Sequence, residues 1–208
     1  MAQSRRVLDL LSICRSTTTS PRKILPVPEA ALEPLPQPSL RPPHSYGFQP
    51  AGVVSETHRL SGPPQFLVGK RKPVKGRRAQ GVRYEARGHE HYEALYKGKY
   101  IASPWFEFTP KAGPRRYCQP DALLLDRAVR RCTILEYKYQ HTFDAFYQLF
   151  ELYLPVLRAW PVTAGCAIYC VEVVKWFDPA TYTNPRALLC ADISRAHEGA
   201  FNVHIFKP

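Results

Sequence analysis

Asp121, Glu136 and Lys138 are the residues whose types and spacing can do chemistry. Pro120-Asp121 heads one apolar run and Glu136-Tyr137-Lys138 closes the next. Hydrolysis of a phosphodiester needs an activated water, stabilisation of the developing negative charge, and a leaving oxygen that is protonated or bound to metal. Magnesium suits the second need, because carboxylates and carbonyl oxygens hold it while it keeps several waters. Asp121 and Glu136 on neighbouring strands can place two carboxylates on one Mg2+ ion. The strand period of two then sets Lys138 on the face of Glu136, where it can position the attacking water or stabilise transition-state charge. Tyr137 points to the other face, yet its backbone carbonyl can serve as a further metal ligand. The same residues also fit a surface Glu136–Lys138 pair with Asp121 as a turn cap. Burial separates the two readings, since buried charges must pair or share a metal.

The elements that must position these side chains are read from periodicity. Residues 82–97 place Val82, Tyr84 or Glu85, His89, Tyr92 and Tyr96 at near-helical spacing, and Lys97-Gly98 stops the helix. Strands are predicted over 100–108, 117–125 and 133–139, with a Gly113-Pro114 turn between the first two. Residues 143–160 read as a helix with a wide apolar face and either a kink or an early end at Pro155. Residues 162–174 form a β-branched run suited to a buried strand, and 201–206 alternate like a final one. The order is that of one α/β domain around a mixed sheet.

Pro120-Asp121 followed by Glu136-Tyr137-Lys138, set between a helix with Glu85 and a helix with Gln148, resembles the PD-(D/E)xK nuclease superfamily over roughly residues 81–175. The resemblance implies a restriction-endonuclease-like core: a helix, a three-stranded antiparallel meander, a helix and a further strand. It also implies that Glu85 supports the metal and that Gln148 is the helix glutamine of the RecB-like branch. Tyr153 lies five residues after Gln148, where that branch has a step of four, so Gln148 is the residue carried over. The function implied is Mg2+-dependent hydrolysis of DNA, with Mn2+ substituting. RNA stays open as a substrate, because nothing in the residues separates it from DNA. The alternative is a non-enzymatic DNA-binding or assembly protein that retains the fold.

The charge agrees with a polyanionic partner. The 208 residues have a formal net charge of +12, and basic chains gain affinity by releasing phosphate counterions. Residues 1–80 hold 13 Lys/Arg against 4 Asp/Glu, leaving 16 against 13 for residues 81–208. Prolines crowd residues 21–64, so residues 1–80 read as a Pro-rich, basic arm, extended or disordered, and residues 81–208 as the nuclease-like domain. The arm offers a docking segment for a protein partner. Lys70, Arg71, Lys72, Lys75, Arg77 and Arg78 form a basic run ahead of the domain, and Arg115 and Arg116 sit in the first hairpin turn. All eight are candidate phosphate contacts. His89-Glu90-His91 lacks zinc spacing, and His141 is a loop residue within reach of substrate phosphate. The six cysteines hold no Cys-x-x-Cys pair, which favours a reducing, intracellular setting, cytoplasmic or nucleoid-associated, with organelle or nuclear targeting also open. No stretch approaches the roughly 20 apolar residues of a membrane span, so no membrane partner is expected.

Overall fold

Two proline breaks decide how the strands are shared between sheets. The computed structural model describes residues 49–68, 73–178 and 187–208, all within the unit Arg41–Pro208. In chain order the main elements are β1 (Val54–Leu60), α1 (Gly76–Leu95), β2 (Tyr100–Ala102), β3 (Trp105–Pro110), β4 (Arg116–Cys118), β5 (Ala122–Asp126) and β6 (Arg131–Gln140). They continue with α2 (Phe143–Tyr147), a π-helical turn (Gln148–Tyr153), α3 (Leu154–Arg158), β7 (Ala167–Trp176), β8 (Ala187–Cys190) and β9 (Phe201–Ile205).

The strand predicted over 100–108 divides at Ser103-Pro104, and the one over 117–125 divides at Gln119-Pro120-Asp121. Proline cannot donate to a ladder, and Ser103 takes a left-handed φ of 42°, so neither run can stay in one sheet. The two breaks lie side by side, joined by Ser103 N–H donating to Asp121 O at 2.8 Å and by Gln119 Nε2 donating to Ser103 O at 3.1 Å. Below this fork, β2 and β5 enter a six-stranded sheet of order β2-β5-β6-β7-β9-β8. Above it, β3 and β4 join β1 in a three-stranded antiparallel sheet. Within the larger sheet β2, β5 and β6 are antiparallel neighbours, while β7, β9 and β8 run parallel to β6. The architecture is therefore α/β, with two sheets flanked by helices.

α1 covers one face of the larger sheet. Its buried residues are Tyr84, Gly88 and Tyr92, a stripe at four-residue spacing that packs on Leu135, Tyr137, Val171 and Val173. Val82, expected on this face, is exposed. Gly88 marks the closest approach, because a Cβ there would lie 2.6 Å from Cε1 of Tyr137. The other face carries α2, the π turn and α3, whose Ala145, Leu149, Tyr153, Val156 and Leu157 pack on Leu123, Ile134, Phe201 and Val203. Phe106 and Phe108 of β3 and Trp160 extend this core toward the smaller sheet, with Phe106 and Trp160 rings 5.1 Å apart. Each such buried side chain contributes roughly 1.5–3 kcal/mol, so the helices are held by packing more than by propensity.

Several boundaries differ from expectation for identifiable reasons. The helix over 143–160 is interrupted by the π turn and ends at Arg158, with Pro155 in the first turn of α3, where its missing N–H costs no helical bond. The strand predicted from 162 begins at Ala167, after a short 3-10 turn at Pro161–Thr163. The boundary at residue 81 falls inside α1, and β1 lies within the stretch read as an arm. Residues 49–53 dock against the body: Ala51 is buried and its N–H donates to Glu151 O at 2.7 Å, a carbonyl of the π turn. Residues 1–48 lie outside the described residues. Among the described residues, no helix is long and apolar enough to cross a membrane. Cys118, Cys132, Cys166, Cys170 and Cys190 are free thiols.

Candidate active site

The fork between the sheets sets Asp121 beside the end of the central strand. The β5–β6 ladder has its last pair at Ala122↔Leu135, so the edge of β6 beyond it is open to side chains. Asp121 Oδ2 occupies that edge, accepting from Tyr137 N–H at 2.7 Å. In an extended strand the N–H and C=O of one residue point to the same side. The Tyr137 carbonyl is therefore directed toward Asp121 as well, while the Tyr137 ring turns to α1 and bonds Tyr100 Oη at 3.1 Å.

Glu136 is 2% exposed and its Oε1 accepts from Lys138 Nζ at 2.6 Å. Its Oε2 is buried with no hydrogen-bond partner. Burial raises the pKa of Asp121 well above the usual carboxylate range, and the charges of Glu136 and Glu85 push it further up. Burial also raises Glu136, and Lys138 works against that rise in both carboxyls. Lys138 loses by burial and gains more from Glu136 and Asp121, which hold its ammonium above the ordinary range. It is a fixed cation, suited to donate to a water or a phosphate oxygen and unsuited to remove a proton.

Glu85, on α1, is partly exposed, with its Oε1 3.6 Å from His89 Nε2. It acts on Asp121 and Glu136 through its charge. Gln148 opens the π turn with a buried Oε1 that has no hydrogen-bond partner. Tyr153 closes that turn, donating to Gln119 O at 3.1 Å, and burial together with Glu136 and Asp121 raises its pKa. A π turn closes on the fifth residue where an α turn closes on the fourth. The step of five from Gln148 to Tyr153 thus spans one π turn, and Tyr153 borders the carboxyl pair. Tyr153 belongs to the site's wall, which the spacing alone had left aside.

Glu172 was missed. It pairs in register with Glu136 across the parallel β6–β7 ladder and is fully buried. His141 Nδ1 and Thr142 N–H hold its carboxylate, the latter at 3.2 Å, and Lys138 adds its charge. Burial still raises its pKa. The signal lay in the sequence: Glu172 is the only acid between residues 162 and 174, a run otherwise read as apolar.

The basic candidates are scattered. Lys75 stands at the N-cap position of α1 without a side-chain capping bond, and Arg77 and Arg78 are exposed in its first turn. Lys70, Arg71 and Lys72 lie outside the described residues. Arg115 pairs with Glu107 at 3.2 Å. Both terminal nitrogens of Arg116 donate to backbone carbonyls, Nη1 to Pro50 at 2.7 Å and Nη2 to Gln49 at 2.5 Å, so this guanidinium fastens the segment before β1.

Among the described residues, no group of three or more His, Cys, Asp or Glu side chains is arranged to hold a metal. Two carboxyl groups and a backbone carbonyl nevertheless fit magnesium, which takes one or two carboxylates and retains waters. The unpartnered Glu136 Oε2 and the raised proton affinity of Asp121 are met either by a cation or by a proton that the two carboxyls share. Comparison with known protein families, curated proteins and solved structures finds no match.

Proposed function

We propose that this chain is a Mg2+-dependent nuclease that hydrolyses DNA phosphodiester bonds on a restriction-endonuclease-like core of the PD-(D/E)xK kind. The observation that carries the reading is the Asp121–Glu136 carboxyl pair, Glu136 buried and Asp121 half-buried, with Lys138 bonded to Glu136 at 2.6 Å. The order α1, antiparallel β2-β5-β6, the helical segment 143–158 and parallel β7 supports it.

In this reading Asp121, Glu136 and the Tyr137 carbonyl hold the cation, with Mn2+ able to substitute for Mg2+, and Glu85 adds negative charge nearby. The bound ion supplies charge neutralisation and a more acidic water. Lys138 donates to the attacking water or to a phosphate oxygen and orients it for in-line attack. Glu172, fixed by His141 and Thr142, keeps Lys138 charged and aimed along the strand end. Gln148 offers its unpartnered Oε1 as an acceptor at the wall of the site. We place the enzyme inside the cell, where its buried thiols stay reduced.

The test is purified protein with Mg2+ on linear, circular, branched and single-stranded DNA. Cleavage is expected to need the metal and to fall at least about 100-fold in Asp121→Ala, Glu136→Ala and Lys138→Ala, with folding and DNA binding kept. Undiminished cleavage in all three would sink the assignment. Isothermal titration with Mg2+ that shows no Asp121-dependent binding would favour the non-enzymatic, DNA-binding reading.

A further inference from the structure

A second concentration of chemistry sits on the α1 side of the sheet, at the strand end that carries Lys138. The Tyr84 ring lies 6.1 Å from that of Tyr139, and the Tyr92 ring 6.0 Å from that of Tyr137, so α1 runs antiparallel to β6. Its first turns therefore project toward the end of β6 where Lys138 lies. There a cleft of about 190 Å³ is lined by Gln80, Arg83, Arg87, Tyr139 and Lys175, over the buried Tyr84. Arg83 and Arg87 are one helical turn apart and exposed. Lys175 belongs to β7, beside the in-register pairs Lys138↔Val174 and Gln140↔Trp176. Its Nζ lies 5.3 Å from the Tyr139 ring and 5.9 Å from the Trp176 ring. Lys207 Nζ approaches Trp176 at 5.6 Å, and that indole is 53% exposed.

None of Arg83, Arg87, Lys175 and Lys207 takes part in an ion pair among the described residues. Glu90 lines the adjoining hollow with Arg87, and Glu172 acts by its charge on Tyr84 beneath the cleft. Cations concentrated in one concave place without counter-charges attract an anion. The ring edges beside them add what a plain phosphate site lacks. Alternating cations and exposed aromatics are the recognition pattern of single strands, whose unpaired bases can stack. The cleft has room for a phosphate and its sugar, and the ring edges beside it are what an unpaired base can stack on.

We propose that Arg83, Arg87 and Lys175, with Tyr139 and Trp176 beside them, bind the backbone and bases of a single DNA strand at the end of β6 that also carries Lys138. This rests on the nuclease reading for its purpose, but its test does not depend on cleavage. A fluorescent oligo-dT of about 16 nucleotides is titrated in chelator against the full chain and followed by anisotropy. The Arg83→Ala/Arg87→Ala/Lys175→Ala protein is expected to bind at least about tenfold more weakly. Its plot of log affinity against log salt should be shallower by about 2, from three contacts at about 0.7 each. Tyr139→Leu should weaken binding with the salt slope unchanged.

An equal loss on removing three exposed cations elsewhere, Lys97, Lys111 and Arg127, would overturn the proposal as a plain charge effect. So would an equal loss for blunt duplex DNA, or displacement by polyglutamate at matched charge. Circular dichroism and Arg83→Glu alone, which should bind still more weakly than Arg83→Ala, keep the result separate from misfolding. Unchanged binding in the triple variant, with metal-dependent cleavage intact, refutes the cleft and leaves the nuclease reading standing. Weakened, duplex-sparing binding in a chain that never cleaves supports the cleft and refutes the nuclease.

Discussion

Asp121 and Glu136 are neighbouring carboxyls withdrawn from water, and burial, with the charge of Glu136, raises the pKa of Asp121. A carboxyl with a raised folded pKa favours folding below its unfolded pKa, and that contribution is lost as pH rises through the folded value. Without metal, the pair should therefore cost stability as pH climbs above the ordinary carboxylate range. The expected outcome is that Asp121→Asn melts increasingly above the parent as pH is raised from about 4 to about 8 in chelator. A constant difference across that range would mean that the folded protein does not raise the Asp121 pKa. Mg2+ should raise the melting temperature of the parent and not of Asp121→Asn, by about 2.7 kcal/mol of linkage at a hundredfold excess over Kd. The identities of Asp121, Glu136 and Lys138 were legible because strand ends with charges flanked by apolar runs are few. Arg116 was not legible as an anchor, since nothing local tells a guanidinium whether a phosphate or the carbonyls of residues 49 and 50 will meet it.

The elements that matter most to the site are those that depart from regular form. Gly88 lets α1 lie on Tyr137, whose ring is also packed against His89 and Tyr92, with ring centroids at 5.2 and 6.0 Å. Gly88→Ala improves helix propensity by about 1 kcal/mol but forces overpacking that costs typically 1–3 kcal/mol. A net loss of stability by urea denaturation is expected, together with reduced cleavage, because Tyr137 N–H holds Asp121. A stabilised, fully active variant would show that the ring can step aside. The π turn was invisible to a 3.6-residue period, although the five-residue step from Gln148 to Tyr153 was its trace. Tyr153→Phe removes the bond to Gln119 O, and its expected cost is about 1 kcal/mol. Single strands over 100–108 and 117–125 were a reasonable reading of alternation alone. The breaks at Pro104 and Pro120 matter only because a second sheet exists to receive β3 and β4.

Across the molecule, the six-stranded sheet joins two cores, one under α1 and one under the segment 143–158. Phe106, fully buried in the second core, links the small sheet to Trp160. Phe106→Ala should cost about 3–5 kcal/mol, a large part of the 5–15 kcal/mol typical of a domain. Urea unfolding followed by fluorescence and by circular dichroism should shift together; separate transitions would mean that the sheets unfold independently. By itself the sequence determined the α/β order of elements, the basic balance of +12 and the three residue types at the strand ends, because periodicity and side-chain chemistry are local properties. Only the tertiary structure decided that two strands fork, that Asp121 reaches the open edge of β6 beside a partnerless Glu136 oxygen, and that Glu172 and Tyr153 border Lys138 and the carboxyl pair. Those outcomes depend on which distant backbone groups lack partners, and the chain settles that only when it packs.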